Sequence, residues 1–292
     1  MRVQGRTAVV TGGSSGIGEA TARALSSRGA RVSLLGRNRE RLDAVAADIR
    51  SRGGVGDVFP VDLSDFRATT SVAQAILSQI GTPDLLVNSA GAGRWLPLLE
   101  TSPMEAAQAM AVPFLAAFNI TREFLGPMLS RGTGHIVNVT SVASYLAWPG
   151  AAAYTAGRRA LEGFNAALRA ELLGSGIGVT LAVFGTVESP YWEHNPGSRE
   201  QLPKRAAAMR ALTPDEAAEA ILRGVEKGGR GSRSPDVLWN PNDRPGPPAL
   251  PTNMVREPST AARRQLESLE DGGVHRGGGS ETGGQPSWVP GR

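Results

Sequence analysis

The apolar run Thr7–Val10 ends in T-G-G-S-S-G-I-G, and the stretch from Glu19 to Arg28 beyond it has helical character. A strand feeding a glycine turn that opens a helix is the arrangement that brings a pyrophosphate onto a helix N-terminus. Gly12, Gly16 and Gly18 allow the tight turn and the close backbone approach this needs. Many strand-to-helix turns carry glycine, so the weight comes from its place directly after a first strand. The strand-then-helix pattern repeats along the chain. Short apolar runs recur at Arg31–Leu35, Val58–Val61, Leu85–Asn88, His135–Val139 and Gly178–Phe184. Between them lie helical stretches at Arg39–Arg50, Phe66–Ile80, Met104–Met128 (interrupted at Pro113) and Tyr154–Leu173, and a further helix begins at Thr213.

Strands alternating with helices imply right-handed crossovers and a doubly wound parallel sheet, an α/β fold of the Rossmann type. Ligands of such sheets bind beyond the carboxyl ends of the strands. Gly12, Asn88, Ser141 and Gly185 each follow a strand end and are expected on that one edge. The 292 residues divide into a single domain over 1–227 and a Gly/Pro/Arg-rich stretch over 228–292 without apolar periodicity, which reads as a disordered tail.

Composition excludes several classes. The net charge is only +4, with no Lys/Arg cluster interleaved by aromatics, so nucleic acid is not an expected partner. The absence of cysteine removes disulfides, thiolate zinc sites and cysteine nucleophiles. His135, His194 and His275 lack metal-ligand spacing, so no metal is expected, and His135 reads as a strand-edge residue. With no long apolar span and no room for a signal peptide ahead of the first strand, the sequence reads as a soluble cytoplasmic protein.

Two places carry chemistry. About twenty residues past the glycines, where an acid would meet an adenosine ribose, stand Gly36 and Arg37. An arginine there suits a 2′-phosphate and so NADP(H) over NAD(H), the alternative being a solvated arginine at a strand end. The second place is Ser141 to Arg158. Tyr154 lies thirteen positions after Ser141, and Arg158 comes at i+4 from it, on the same helical face. A phenol beside a fixed cation has its ionised form stabilised, and a serine hydroxyl converging on it would hold a carbonyl oxygen while the phenol moves a proton. A Ser-rich turn followed by a helix with a buried tyrosine is the plain alternative. Trp95, Leu96, Trp148, Tyr191 and Trp192 fall in loops over the same edge, either walling an apolar substrate pocket or packing a lid.

With these residues in place the chain resembles the short-chain dehydrogenase/reductase family from about Arg6 to Lys227. T-G-G-S-S-G-I-G is similar to its TGxxxGxG turn, N-S-A-G (Asn88–Gly91) to its NNAG strand end, and V-N-V-T-S with Tyr154 to its catalytic serine and tyrosine. F-G-T-V-E-S resembles its PGxxxT segment. The resemblance implies a catalytic set of Ser141, Tyr154 and Arg158. It implies cofactor contacts from Gly12, Ser14, Ser15, Gly16, Ile17, Gly18, Arg37, Asp62, Leu63, Asn88, Ala90, Gly91, Gly185 and Val187, besides Tyr154 and Arg158. It also implies NADP(H)-dependent interconversion of a ketone or aldehyde with an alcohol, and a homodimer or homotetramer formed by helices 114–129 and 154–173. Two departures touch the chemistry. The family's YxxxK is Y-T-A-G-R here, and no lysine precedes Lys204. A guanidinium holds a ribose and a charge but does not give up a proton near neutral pH. The asparagine of the family's M-x-V-N segment, which helps hold a relay water, is Pro113. A catalytically weakened dinucleotide-binding protein, acting as a sensor or oligomer partner, is therefore the second expectation.

Overall fold

The computed structural model describes residues 1–145, 148–202 and 210–226. The stretch 228–292, whose composition reads as a tail, lies outside the described residues. Six parallel strands form one sheet in the order β3-β2-β1-β4-β5-β6. They are β1 (Thr7–Thr11), β2 (Arg31–Gly36), β3 (Val55–Pro60), β4 (Leu85–Asn88), β5 (Gly134–Ser141) and β6 (Ile177–Phe184). The strand order reverses between β1 and β4, which leaves a crevice at their carboxyl ends.

Both faces are covered, so the strands are apolar on both sides and alternate between two cores. Ala8, Val10, Val32, Leu34, Val87, Val137 and Phe184 join helices α1 (Gly16–Ser27) and α2 (Arg39–Ser51) and the last described helix, α8 (Pro214–Glu226). Val9, Leu35, Leu86, Ile136 and Val179 face helices α3 (Phe66–Gln79), α5 (Ala116–Arg131) and α6 (Ala152–Glu171). Asn88 and Asn138 sit on this second face, two positions beyond Leu86 and Ile136.

The expected break at Pro113 takes a specific form. Helix α4 (Pro103–Met110) passes into a single wide turn, Ala111–Leu115, before α5 begins. Proline lacks the N–H and crowds the preceding turn, and the widened turn accommodates both without ending the rod. Its buried ring packs toward α6 at Gly157, where a Cβ would run into the Ala109 carbonyl. Only glycine lets α4 and α6 approach this closely.

His135 corrects the reading of a strand-edge residue. It lies on β5 between β4 and β6, is 3 % exposed, and its Nε2 is 2.9 Å from Thr180 Oγ1. Burial lowers its pKa from 6.5 to about 4. Among the described residues no helix is long and apolar enough to cross a membrane.

Candidate active site

A cleft of about 1230 Å³ runs along the carboxyl ends of the strands. One end is built on the first crossover. Ser15 precedes α1 without capping it through its side chain, so first-turn amides of this helix are left to meet an anion. Ser14, Ser15, Gly16, Ile17 and Gly18 line this part of the wall. Gly12 adopts a φ of 68°, and a Cβ there would lie 3.0 Å from the backbone of Ala90. The turn therefore approaches the end of β4 as closely as a backbone can. Thr11 fixes that approach, its Oγ1 accepting from the amides of Ser89 and Ala90 at 3.0 Å each.

At the end of β2 the cleft is lined by Arg37 and, one turn into α2, by Arg41, with His194 Nε2 3.2 Å from Arg41 Nη1. Arg41 was not among the residues expected from the sequence; it reaches the cleft from the first turn of α2, after the Asn38 cap. Asp62 and Leu63 line the wall beyond β3. Asp62 Oδ1 accepts from the Ser64 amide at 2.9 Å and the Ser64 hydroxyl at 2.7 Å, and these bonds hold its carboxyl below the usual range.

The other end carries Ser141, Tyr154 and Arg158, all three on the cleft wall. Ser141 is the last residue of β5, and its Oγ accepts from the Ala143 amide at 3.2 Å. Tyr154 and Arg158 are 7 % and 8 % exposed. The guanidinium stacks over the phenol ring, Cζ to centroid 5.0 Å, rather than capping its hydroxyl. Arg158 Nη1 donates to the Val139 carbonyl at 3.3 Å, while its buried Nε has no partner among the described residues. A Cβ on Gly91 would lie 2.6 Å from Arg158 Nη2, so the guanidinium tip packs directly against this bare strand end. The planar guanidinium thus lies between the strand ends, with Gly91 after β4 on one side and the Val139 carbonyl of β5 on the other.

Gly185 and Val187, after β6, complete the cleft lining, as do Ala90 and Gly91. Asn88 does not join them. Its side chain turns inward, Nδ2 donating to Thr121 Oγ1 at 3.1 Å and Asn138 Oδ1 at 2.9 Å. The alternation of the strand puts Asn88 on the α5/α6 face, and the cleft wall begins one residue later at Ser89.

Aromatic rings roof the end that carries Tyr154. Trp95 lies 5.3 Å from the Tyr154 ring and 5.2 Å from Trp148. Tyr191 lies 6.2 Å from Tyr154 and donates its hydroxyl to the Gly93 carbonyl at 2.6 Å. Burial, reinforced by the neighbouring Tyr154, raises the Tyr191 phenol above the ordinary tyrosine range. Trp192 Nε1 donates to the Val187 carbonyl at 3.0 Å, tying α7 (Tyr191–His194) to the strand end. Leu96 is buried away from the cleft, whereas Trp95, Trp148, Tyr191 and Trp192 line it.

Residues 6–199 match the short chain dehydrogenase family. The chain belongs to this family. Similar to it is the probable oxidoreductase EphD of Mycobacterium tuberculosis, 34 % identical over 231 residues that cover 75 % of this chain and 39 % of that protein. The chain thus spans about two fifths of EphD's length. The fatty acyl-CoA reductase of Acinetobacter baylyi is 30 % identical over 227 residues, covering 77 % of this short chain dehydrogenase and 74 % of that reductase. Among solved structures, a metagenomic short-chain oxidoreductase in complex with NADP matches at a TM-score of 0.65 and 33 % identity, covering 76 % of this chain and 91 % of that one.

Proposed function

We propose that this protein is an NADP(H)-dependent oxidoreductase that interconverts a lipophilic ketone or aldehyde with its alcohol. The observation that carries the proposal is the convergence of Ser141, Tyr154 and Arg158 on one wall of a cleft whose far end is lined by Arg37 and Arg41. The start of α1, which has no side-chain cap, and Arg158 Nε, which has no partner among the described residues, supply donors that fit the phosphates and ribose of a dinucleotide. When bound, that cofactor supplies or accepts the hydride.

The chain's own residues do the rest. Ser141 Oγ holds the substrate oxygen, and Tyr154 donates its proton to that oxygen in reduction and takes it back in oxidation. Arg158, stacked on the ring, offsets the negative charge that develops on the phenol. Trp95, Trp148, Tyr191 and Trp192 exclude water and favour an apolar group on the carbonyl. Similarity to a protein described as a fatty acyl-CoA reductase supports a lipophilic substrate. Arg37 and Arg41 favour the 2′-phosphate of NADP(H), and the relative solved with NADP supports that choice. We further propose a homodimer or homotetramer in the cytoplasm, joined through the exposed Leu115, Phe118 and Leu129 beside Phe164. Light-scattering mass tests that assembly, and a monomer would contradict it.

A second reading rests on two observations. The guanidinium faces the phenol ring rather than its hydroxyl, and the ring of Pro113 packs toward α6 where the family places an asparagine. If these abolish proton resupply, the protein binds NADPH and does not turn over. NADPH consumption over a panel of long-chain and aryl ketones and aldehydes separates the readings: turnover supports the oxidoreductase, whereas tight NADPH binding without turnover supports the binding protein.

A further inference from the structure

We infer that Asn165 is a positioning residue for the Tyr154–Arg158 pair, acting through a buried chain of carboxamides that fixes α6 on the sheet. The inference rests on the oxidoreductase reading for its kinetic effect. Asn138 Nδ2 donates to Asn165 Oδ1 at 2.9 Å, and Asn88 Nδ2 donates to Asn138 Oδ1 at 2.9 Å and to Thr121 Oγ1 at 3.1 Å. All four residues are buried. The chain of amides therefore runs from the end of β4, across β5, to the middle of α6, with a branch into α5. None of the three asparagines reaches the cleft wall, so the chemistry proposed for the cleft leaves them unused.

The geometry gives these amides a task. Tyr154 is the third residue of α6, and the helix starts at Ala151 and Ala152 with no side-chain cap to hold its first turn. The apolar contacts beneath α6, made by Leu161 and Leu168, resist separation but are non-directional and resist sliding only weakly. Direction comes from three consecutive residues of β5. Asn138 holds Asn165, the Val139 carbonyl accepts from Arg158 Nη1 at 3.3 Å, and Thr140 Oγ1 donates to the Arg158 carbonyl at 3.4 Å. Asn165 lies two turns beyond Arg158, about 10 Å along the axis. Two directional attachments that far apart set both the slide and the roll of the helix, and hence where the phenol and guanidinium stand relative to Ser141.

The test uses the full-length protein with Asn165→Ser, whose short hydroxyl does not reach Asn138, and Asn165→Asp, which keeps an acceptor at the same place. With an accepted ketone, the Ser variant is expected to lose at least about tenfold in kcat while KM and the NADPH Kd stay within about threefold, because a displacement of about an ångström costs rate before binding. The Asp variant is expected to stay within about threefold of wild type. A Ser variant within about twofold of wild type in kcat, or an Asp variant losing as much as Ser, overturns the inference. If Asn165→Ser does not fold, Asn138→Ser cuts the same bond from the strand side and carries the same expectation. Amide hydrogen exchange provides an arm that needs no turnover. Exchange over Ala152–Arg158 is expected to speed up in the Ser variant, with that of Thr7–Thr11 unchanged, and unchanged exchange over Ala152–Arg158 contradicts the inference. A wild type without turnover would fail the oxidoreductase reading while leaving this exchange result to decide the positioning role.

Discussion

Arg37 and Arg41 face the same end of the cleft from the end of β2 and the first turn of α2. A charge-assisted bond to a phosphate contributes about 1.5–3 kcal/mol. Arg37→Ser is therefore expected to raise the NADPH Kd by roughly 10- to 100-fold while moving the NADH Kd less than about threefold. Fluorescence titration with both cofactors checks this, and an equal loss for both would remove the 2′-phosphate role. The placement of Ser141 at the end of β5 and of Tyr154 and Arg158 one turn apart on α6, all lining the cleft, was legible in the sequence from their spacing. Asn88 was not, because a motif locates a residue along the chain but not which face of a strand it occupies. One position earlier or later would have turned its carboxamide toward the opposite layer. The i+4 spacing puts Arg158 beside Tyr154, but the stacking over the ring and the packing of the guanidinium against Gly91, sixty-seven residues earlier, are relations that spacing does not encode.

At the scale of elements, α4 packs tightly against α6 at Gly157. Gly157→Ala would set a methyl against the Ala109 carbonyl, which belongs to backbone and has little room to yield. Overpacking of this kind costs about 1–3 kcal/mol. The expected result is that loss in urea unfolding, together with a drop in kcat, because Arg158 is the next residue. Unchanged stability and rate would contradict a tight α4–α6 contact. The order and kind of the six strands and the longer helices were readable from apolar runs and start signals, whereas the short helix Tyr191–His194 was expected as loop. Their ends shifted by a few residues, β3 starting at Val55 rather than Val58 and β5 extending to Ser141, because sheet partners prolong pairing beyond the apolar run. The wide turn at Pro113 was foreseen only as an interruption. A proline announces a missing hydrogen bond, and the surrounding packing decides how the helix absorbs it.

For the molecule as a whole, the buried His135 makes stability depend on pH. Its folded pKa is about 4 against 6.5 for an exposed histidine, so the folded state holds it neutral. Its contribution is fully present above about pH 6.5 and is lost as pH falls toward 4, amounting to at most about 3 kcal/mol. Urea unfolding at pH 7.5 and 4.5 should therefore show a larger acid loss in wild type than in His135→Gln, and an equal loss in both would remove the assignment. The central claim concerns catalysis in the cleft, and NADPH consumption with a lipophilic ketone panel tests it most directly, comparing wild type, Tyr154→Phe and Arg158→Lys. Turnover by wild type is expected, with a loss of at least about a hundredfold in Tyr154→Phe and activity retained in Arg158→Lys. Turnover by Arg158→Lys alone, with wild type binding NADPH but inert, would contradict the claim and identify the natural protein as a dinucleotide-binding relative that has lost its proton path.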